Sequence, residues 1–150
     1  MKKNLAETLE DSAINELQIP TFGYELIREI VLDNILGQDS YQILYWTGKQ
    51  LARKFPLSSM GEVVAFFQSA GWGDLIIEKE TKNEMELTLT GEIINRRLEL
   101  YSNCHFQLET GFLAEQSALQ KKCSSEAVAE IKKRAKRVIF TVQWDPKDPL

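Results

Sequence analysis

Between Gly71 and Gly73 the spacing of apolar residues changes from a period of about 3.6 to a period of about 2. That change restricts the chain to folds that set helices against a sheet. Upstream, Leu26, Ile27, Ile30, Val31 and Asn34 share one helical face, and Gly37 followed by Asp39 marks a stop and a new N-cap. A second helix begins near Ser40 with Leu44, Gly48, Leu51 and Phe55 as its stripe. Pro56 ends it, because proline disfavours helical backbone in the residue before it. A third helix starts at Ser58 or Ser59, contains Met60, Val63, Val64, Phe66 and Phe67, and is left through Gly71, Trp72 and Gly73.

Downstream, Leu75, Ile77 and Lys79, then Met85, Leu87 and Leu89, alternate with other residues around a Lys82–Asn83 turn, which predicts a hairpin. Residues 92–101 read equally as a short helix or a linker. Asn103 predicts the cap of a long helix through about Gln120, broken by Cys123, Ser124 and Ser125. A second hairpin places Ala127, Ala129 and Ile131 opposite Val138, Phe140, Val142 and Trp144, around a turn at Lys133 to Lys136. A hairpin alone cannot bury its apolar face. The order therefore predicts an α/β fold of the α+β plait kind, a four-stranded antiparallel sheet of two hairpins covered by about four helices. Residues 1–20 read as a loosely docked arm, 21–144 as one ligand-binding-like domain and 145–150 as a tail.

Eighteen basic and twenty-two acidic side chains leave a net charge of −4, so the molecule as a whole has no electrostatic pull towards nucleic acid or anionic membranes. Apolar runs such as Val63–Phe67 fall far below the roughly 18 residues of a membrane span, and the N-terminus has no apolar signal core. A soluble, cytoplasmic protein without integral membrane association or nucleic-acid partner is expected. Two cysteines and one histidine exclude a disulfide framework and a His-rich metal site. Cys104 and His105 supply only two neighbouring ligands, and no CxxC or HxxxH adds more. Gly71-Trp72-Gly73 follows a helix, whereas a dinucleotide site needs strand, glycine turn, helix. No catalytic set, metal or cofactor emerges, and the residues point away from an enzyme.

Three features keep two readings each. Lys132, Lys133, Arg134, Lys136 and Arg137 are a solvated hairpin tip that discourages edge pairing, or a docking patch for an acidic partner or anionic headgroup, centred on Lys133, Arg134 and Lys136. Glu115 projects into the stripe of Leu108, Phe112 and Leu119, where it reaches solvent or orients a ligand. Trp46 points away from the stripe of its helix, towards a partner or the N-terminal arm.

The segments FFQSAGWGDL, TGEIINRRLELY and NCHFQLETGFLAEQ resemble the YslB-like uncharacterised family of Firmicutes, over about Phe22 to Trp144. More distantly, the run from Cys104 through Gly111 and Glu115, with the closing hairpin, is similar to the vinyl reductase small-molecule-binding domain and to subunits of the TRAPP transport complex. That resemblance implies helices against a four-stranded antiparallel sheet, hydrophobic ligand binding and helix-mediated dimers. The wider family's last-hairpin cysteines have no counterpart near Lys133 or Val138, so only the scaffold is implied, without cysteine chemistry. The expected function is a non-catalytic homodimeric module, with a regulatory role, that binds an apolar small molecule or lipid; the alternative is a protein-protein interaction or scaffold protein without a cavity. The expected pocket lies between the third and long helices, lined by Phe67, Trp72, Cys104, Phe112 and Glu115. The expected dimer contact uses the first two helices through Leu44, Trp46, Thr47 and Gly48, with small residues allowing close approach.

Overall fold

Glycine and proline punctuate the helices where the sequence predicts. In the computed structural model, which describes residues 17–150, α1 (Thr21–Glu25) continues through a π-helical stretch (Leu26–Val31) into α2 (Leu32–Leu36). Gly37, at φ +61°, stops it, and a 3-10 turn (Gly37–Asp39) leads into α3 (Ser40–Lys54). Residues 1–16 of the expected arm lie outside the described residues, and 17–20 are exposed without regular structure. The chain divides into two compact units between Ser40 and Tyr41. In the first, Arg28 Nη1 donates to Tyr24 Oη at 3.1 Å. Its apolar stripe of Leu26, Ile27, Ile30 and Val31 is exposed, together with Phe22 and Ile35.

The second unit carries the sheet. After α3 come α4 (Met60–Ser69), β1 (Asp74–Glu80), β2 (Glu84–Thr90), α5 (Glu92–Leu100), α6 (Gln107–Lys121), β3 (Cys123–Lys132) and β4 (Arg137–Pro149). Ser59 caps α4, its Oγ accepting from the Glu62 N–H at 3.3 Å, while the Glu62 carboxylate accepts from the Ser58 N–H at 2.5 Å. All strand neighbours are antiparallel in the order β1-β2-β4-β3. Leu87 is paired with Ile77 on one side and Phe140 on the other, so the alternating apolar residues of three strands fall in register on one face. Leu75, Met85, Leu87, Leu89, Val138, Phe140, Val142 and Trp144 are buried there. Helix α4 packs on β1, α5 on β2, and α6 on β3 and β4. Ile76, Val128 and Glu130, on the opposite face, are exposed.

One open reading is resolved and two local expectations are corrected. The ambiguous stretch at 92–101 is the helix α5. The long helix starts at Gln107 rather than after Asn103, because Cys104 N–H closes a turn onto Tyr101 O at 3.1 Å and Arg97 holds the His105 carbonyl. Strand β4 runs through the expected tail to Pro149, which pairs with Cys123, and Leu150 N–H donates to Lys122 O at 3.2 Å. Past Gln143 the strand has no β2 partner, so Pro146 and Pro149 remove no ladder bond on that side. The break after α6 is a single left-handed residue, Lys122 at φ 59°, after which Cys123 enters β3 directly. Among the described residues no helix is long and apolar enough to cross a membrane.

Candidate functional site

Apolar spacing on α4 turns Phe66 and Phe67 inward, and Gly71 at φ +70° reverses the chain so that Trp72 returns to them. Phe112 of α6 meets all three. Its ring stacks on Phe66 at 4.6 Å between centroids and lies edge-on to Trp72 at 5.3 Å and to Phe67 at 6.1 Å. Phe67 is edge-on to Trp72 at 5.0 Å, and Phe55 extends the group through Phe66. Edge-to-face and offset contacts of this kind add about 0.5–1.5 kcal/mol per pair beyond area burial. Phe67 and Phe112 are fully buried, while Phe66 and Trp72 keep a thin exposed rim.

Helix α6 reaches this position because it touches α3 backbone to backbone. A Cβ on Gly48 would run into the Leu108 carbonyl oxygen and come within 2.8 Å of Phe112 N; one on Gly111 would run into the Tyr45 carbonyl. The close approach that Gly48 allows is thus made inside the chain. Buried Gln116 ties the α3–α4 loop to α6, its Nε2 donating to Phe55 O at 2.7 Å and its Oε1 accepting from Leu57 N–H at 3.1 Å. Gln120 adds a bond to Leu57 O at 3.1 Å. These bonds satisfy the backbone groups left open where Pro56 ends the helix.

Glu115 finds a donor: its carboxylate accepts from Arg53 Nε at 2.6 Å, with the acid mostly buried and the arginine half exposed. A second polar group closes the free edge of β3. Tyr45 Oη donates to Glu126 and accepts from Ala127 N–H at 3.2 Å, and Lys49 Nζ holds Glu126 at 2.9 Å while lying over the Tyr45 ring. Burial, helped by the bond to Glu126, pushes the Tyr45 hydroxyl well above its ordinary range. Partial desolvation raises the Glu126 carboxyl, but the bonds from Tyr45 and Lys49 outweigh it and hold the group below the ordinary range.

The third polar group is buried. Arg97 and Glu109 pair at 3.3 Å with 1% and 0% side-chain exposure, Arg97 Nη2 donates to His105 O at 2.9 Å, and the guanidinium sits 4.2 Å from the Phe106 ring centre. Its sequence signal is an arginine and a glutamate at apolar-stripe positions of α5 and α6, which spacing alone does not pair. His105 packs against Tyr41, and its Nδ1 accepts from Gln107 N–H at 3.4 Å.

Of the five expected pocket residues, Phe67, Trp72 and Phe112 are together, Glu115 is engaged by Arg53, and half-buried Cys104 lies in the turn before α6. Cys104 and Cys123 are not joined in a disulfide. Of the expected dimer residues, Leu44 and Gly48 are buried, Thr47 is half-buried with Oγ1 on Ile43 O at 2.7 Å, and Trp46 is 61% exposed. Lys133, Arg134 and Lys136 are exposed in the β3–β4 turn. Open clefts of about 380 Å³, beside Ser125, Gln143 and Trp144, and of about 370 Å³, beside Glu92, Arg96 and Glu99, are lined by none of the expected pocket residues. Among the described residues no group of three or more histidine, cysteine, aspartate or glutamate side chains could hold a metal.

Comparison with known proteins accords with this architecture. A family model described as "Protein of unknown function (DUF2507)" matches residues 21–143. The chain is 46% identical to the uncharacterized protein YslB of Bacillus subtilis (strain 168) over 150 residues, all of both chains. A vinyl-4-reductase family protein from Methanocaldococcus jannaschii is similar in structure, with a TM-score of 0.67, 16% identity and 97% of each chain covered. At that identity the likeness is one of fold.

Proposed function

This chain belongs to the DUF2507 family, whose function is unknown, and we propose that it is a non-catalytic, cytoplasmic module that binds an apolar small molecule or lipid as a homodimer with a regulatory role. The observation carrying this reading is the meeting of Phe112 with Phe66, Phe67 and Trp72 at 4.6–6.1 Å between centroids. An apolar ligand entering at the Phe66–Trp72 rim would part the Phe66–Phe112 stack and take its place against Phe67 and Trp72. Glu115 and Cys104 are the polar positions assigned to its mouth, where the half-exposed Arg53 guanidinium that Glu115 holds would orient a carboxylate headgroup. Trp46, with Thr47 beside it, is the proposed contact with a second copy, and the exposed stripe around Ile27 and Ile30 adds a further apolar surface.

Native mass spectrometry of protein purified from cells tests the ligand. A retained apolar adduct is expected, and with Trp46 and Trp144 replaced by phenylalanine, a fatty acid should change Trp72 fluorescence saturably. Clean apo protein with no saturable change overturns the ligand reading and leaves a scaffold protein, which the 61% exposure of Trp46 independently favours. Sedimentation of wild type and Trp46→Glu tests the dimer: a monomeric wild type, or an unchanged coefficient in the variant, refutes it.

A further inference from the structure

We propose that the tip of the β3–β4 hairpin is a docking surface for an anionic lipid bilayer. Lys132, Lys133, Arg134, Lys136 and Arg137 put five cations into six residues, all exposed. The other residues then hold thirteen of the eighteen basic side chains against all twenty-two acidic ones, a net of −9. Five of the chain's eighteen basic side chains are thus concentrated at the end of one hairpin, while the rest of the sequence is net acidic.

Two placements in this tip work against its own stability. Lys132 and Arg137 are directly opposed in the last register of the hairpin, and like charges so placed repel. Lys136 stands at φ +54°, a conformation that favours glycine or asparagine. A turn serving only to join two strands would gain from glycine at 136 and from a carboxylate at 132 or 137. Among the described residues, Glu130 is the carboxylate paired with the cluster, on Lys132 at 2.7 Å. The cations are therefore kept at a local cost with little internal return, which points to an external anion.

Shape decides the kind of anion. The cations flank and cap a convex turn, with Ala135 among them and Ile131, 40% exposed, at its base. An acidic peptide gains most from a groove that converges on it. A bilayer instead brings mobile headgroups that rearrange around any spread of cations, and its interface accepts Ile131 and Ala135 as well. The acidic remainder is repelled by the same surface, so contact is confined to the tip and orients the module. This inference is independent of whether the aromatic cluster holds a ligand.

Co-sedimentation of the full chain with vesicles provides the test, using phosphatidylcholine alone and phosphatidylcholine mixed with phosphatidylglycerol. Wild type should partition onto the mixed vesicles in low salt, be released by high salt, and ignore neutral vesicles. Each cation removed should lower partitioning about fivefold. Lys133→Glu/Arg134→Glu/Lys136→Glu should abolish binding, and Lys133→Arg/Lys136→Arg should retain it. Lys136→Gly separates binding from folding, since relief of the backbone should raise the melting temperature while partitioning falls. No binding to mixed vesicles, equal binding to neutral ones, or binding to soluble polyglutamate without binding to vesicles overturns the proposal, the last assigning the tip to an acidic protein.

Discussion

Gly48 of α3 and Gly111 of α6 lie at one helix crossing, each denying room for a Cβ because the other helix's backbone is there: Leu108 carbonyl before Gly48 and Tyr45 carbonyl before Gly111. Everything α6 carries towards the sheet and the aromatic cluster depends on that approach. Backbone cannot rotate aside as a side chain can. Alanine at either position should therefore cost about 2 kcal/mol or more, despite a gain of about 1 kcal/mol in helix propensity. Gly61 is the control, since a Cβ there would have Ser59 Oγ, at 3.7 Å, as its nearest neighbour. Gly61→Ala should stabilise by about 0.5–1 kcal/mol. Urea melts of the three variants check the contrast, which fails if Gly111→Ala is as stable as wild type.

The Arg97–Glu109 pair should behave as a buried charge pair does. Arg97→Met alone takes an ion-pair partner from a carboxylate that is 0% exposed, at a cost of about 3–5 kcal/mol. Arg97→Met with Glu109→Leu removes both charges and should recover a large part of that loss. A double-mutant cycle measures it; additive losses would show that the two groups act separately.

Glu126 makes the Tyr45 clamp pH-dependent. Its folded-state pKa is depressed by Tyr45 and Lys49 against the opposing effect of burial. The contribution is therefore present above the unfolded value of about 4.3 and is lost as pH falls through the lower folded value. The stability difference between wild type and Glu126→Gln should be constant from neutral pH down to about pH 5 and shrink below about pH 4. Tyr45 has the opposite sign. Its raised pKa, set first by burial and then by Glu126, keeps its contribution below about pH 10 and loses it as pH rises further. Equal pH profiles for wild type and Glu126→Gln would exclude the carboxylate as the source.

Gln116→Leu should leave Phe55 O and Leu57 N–H without their side-chain partner and cost about 2 kcal/mol. Hydrogen exchange at Leu57 checks it: the amide should lose protection in the variant, and an unchanged rate would mean that another group replaces the glutamine.

Much of the fold is legible in the sequence because its signals are local. Gly37, Ser59, Pro56 and Gly71 act within a turn of themselves, and the period change after Trp72 reflects which side neighbouring residues point to. These determined the order of helices and hairpins and the inward residues of β2 and β4. Where local signals conflict, tertiary structure decided. Asn103 offered a cap, yet a turn closed by Cys104 on Tyr101 and the contacts of His105 and Phe106 with Arg97 hold the chain out of the helix until Gln107. Pro146 and Pro149 suggested a tail, yet β4 pairs on to Pro149 because its neighbour on the other side has already ended. The site is less legible for the same reason. The Tyr45–Glu126 bond spans 81 positions and the Arg53–Glu115 bond 62, and no local pattern selects one glutamate from the others. A small residue such as Gly48 announces that a backbone comes close, but which backbone is set by the packing of α6 on the sheet, a sum over contacts that exists only once the chain has folded.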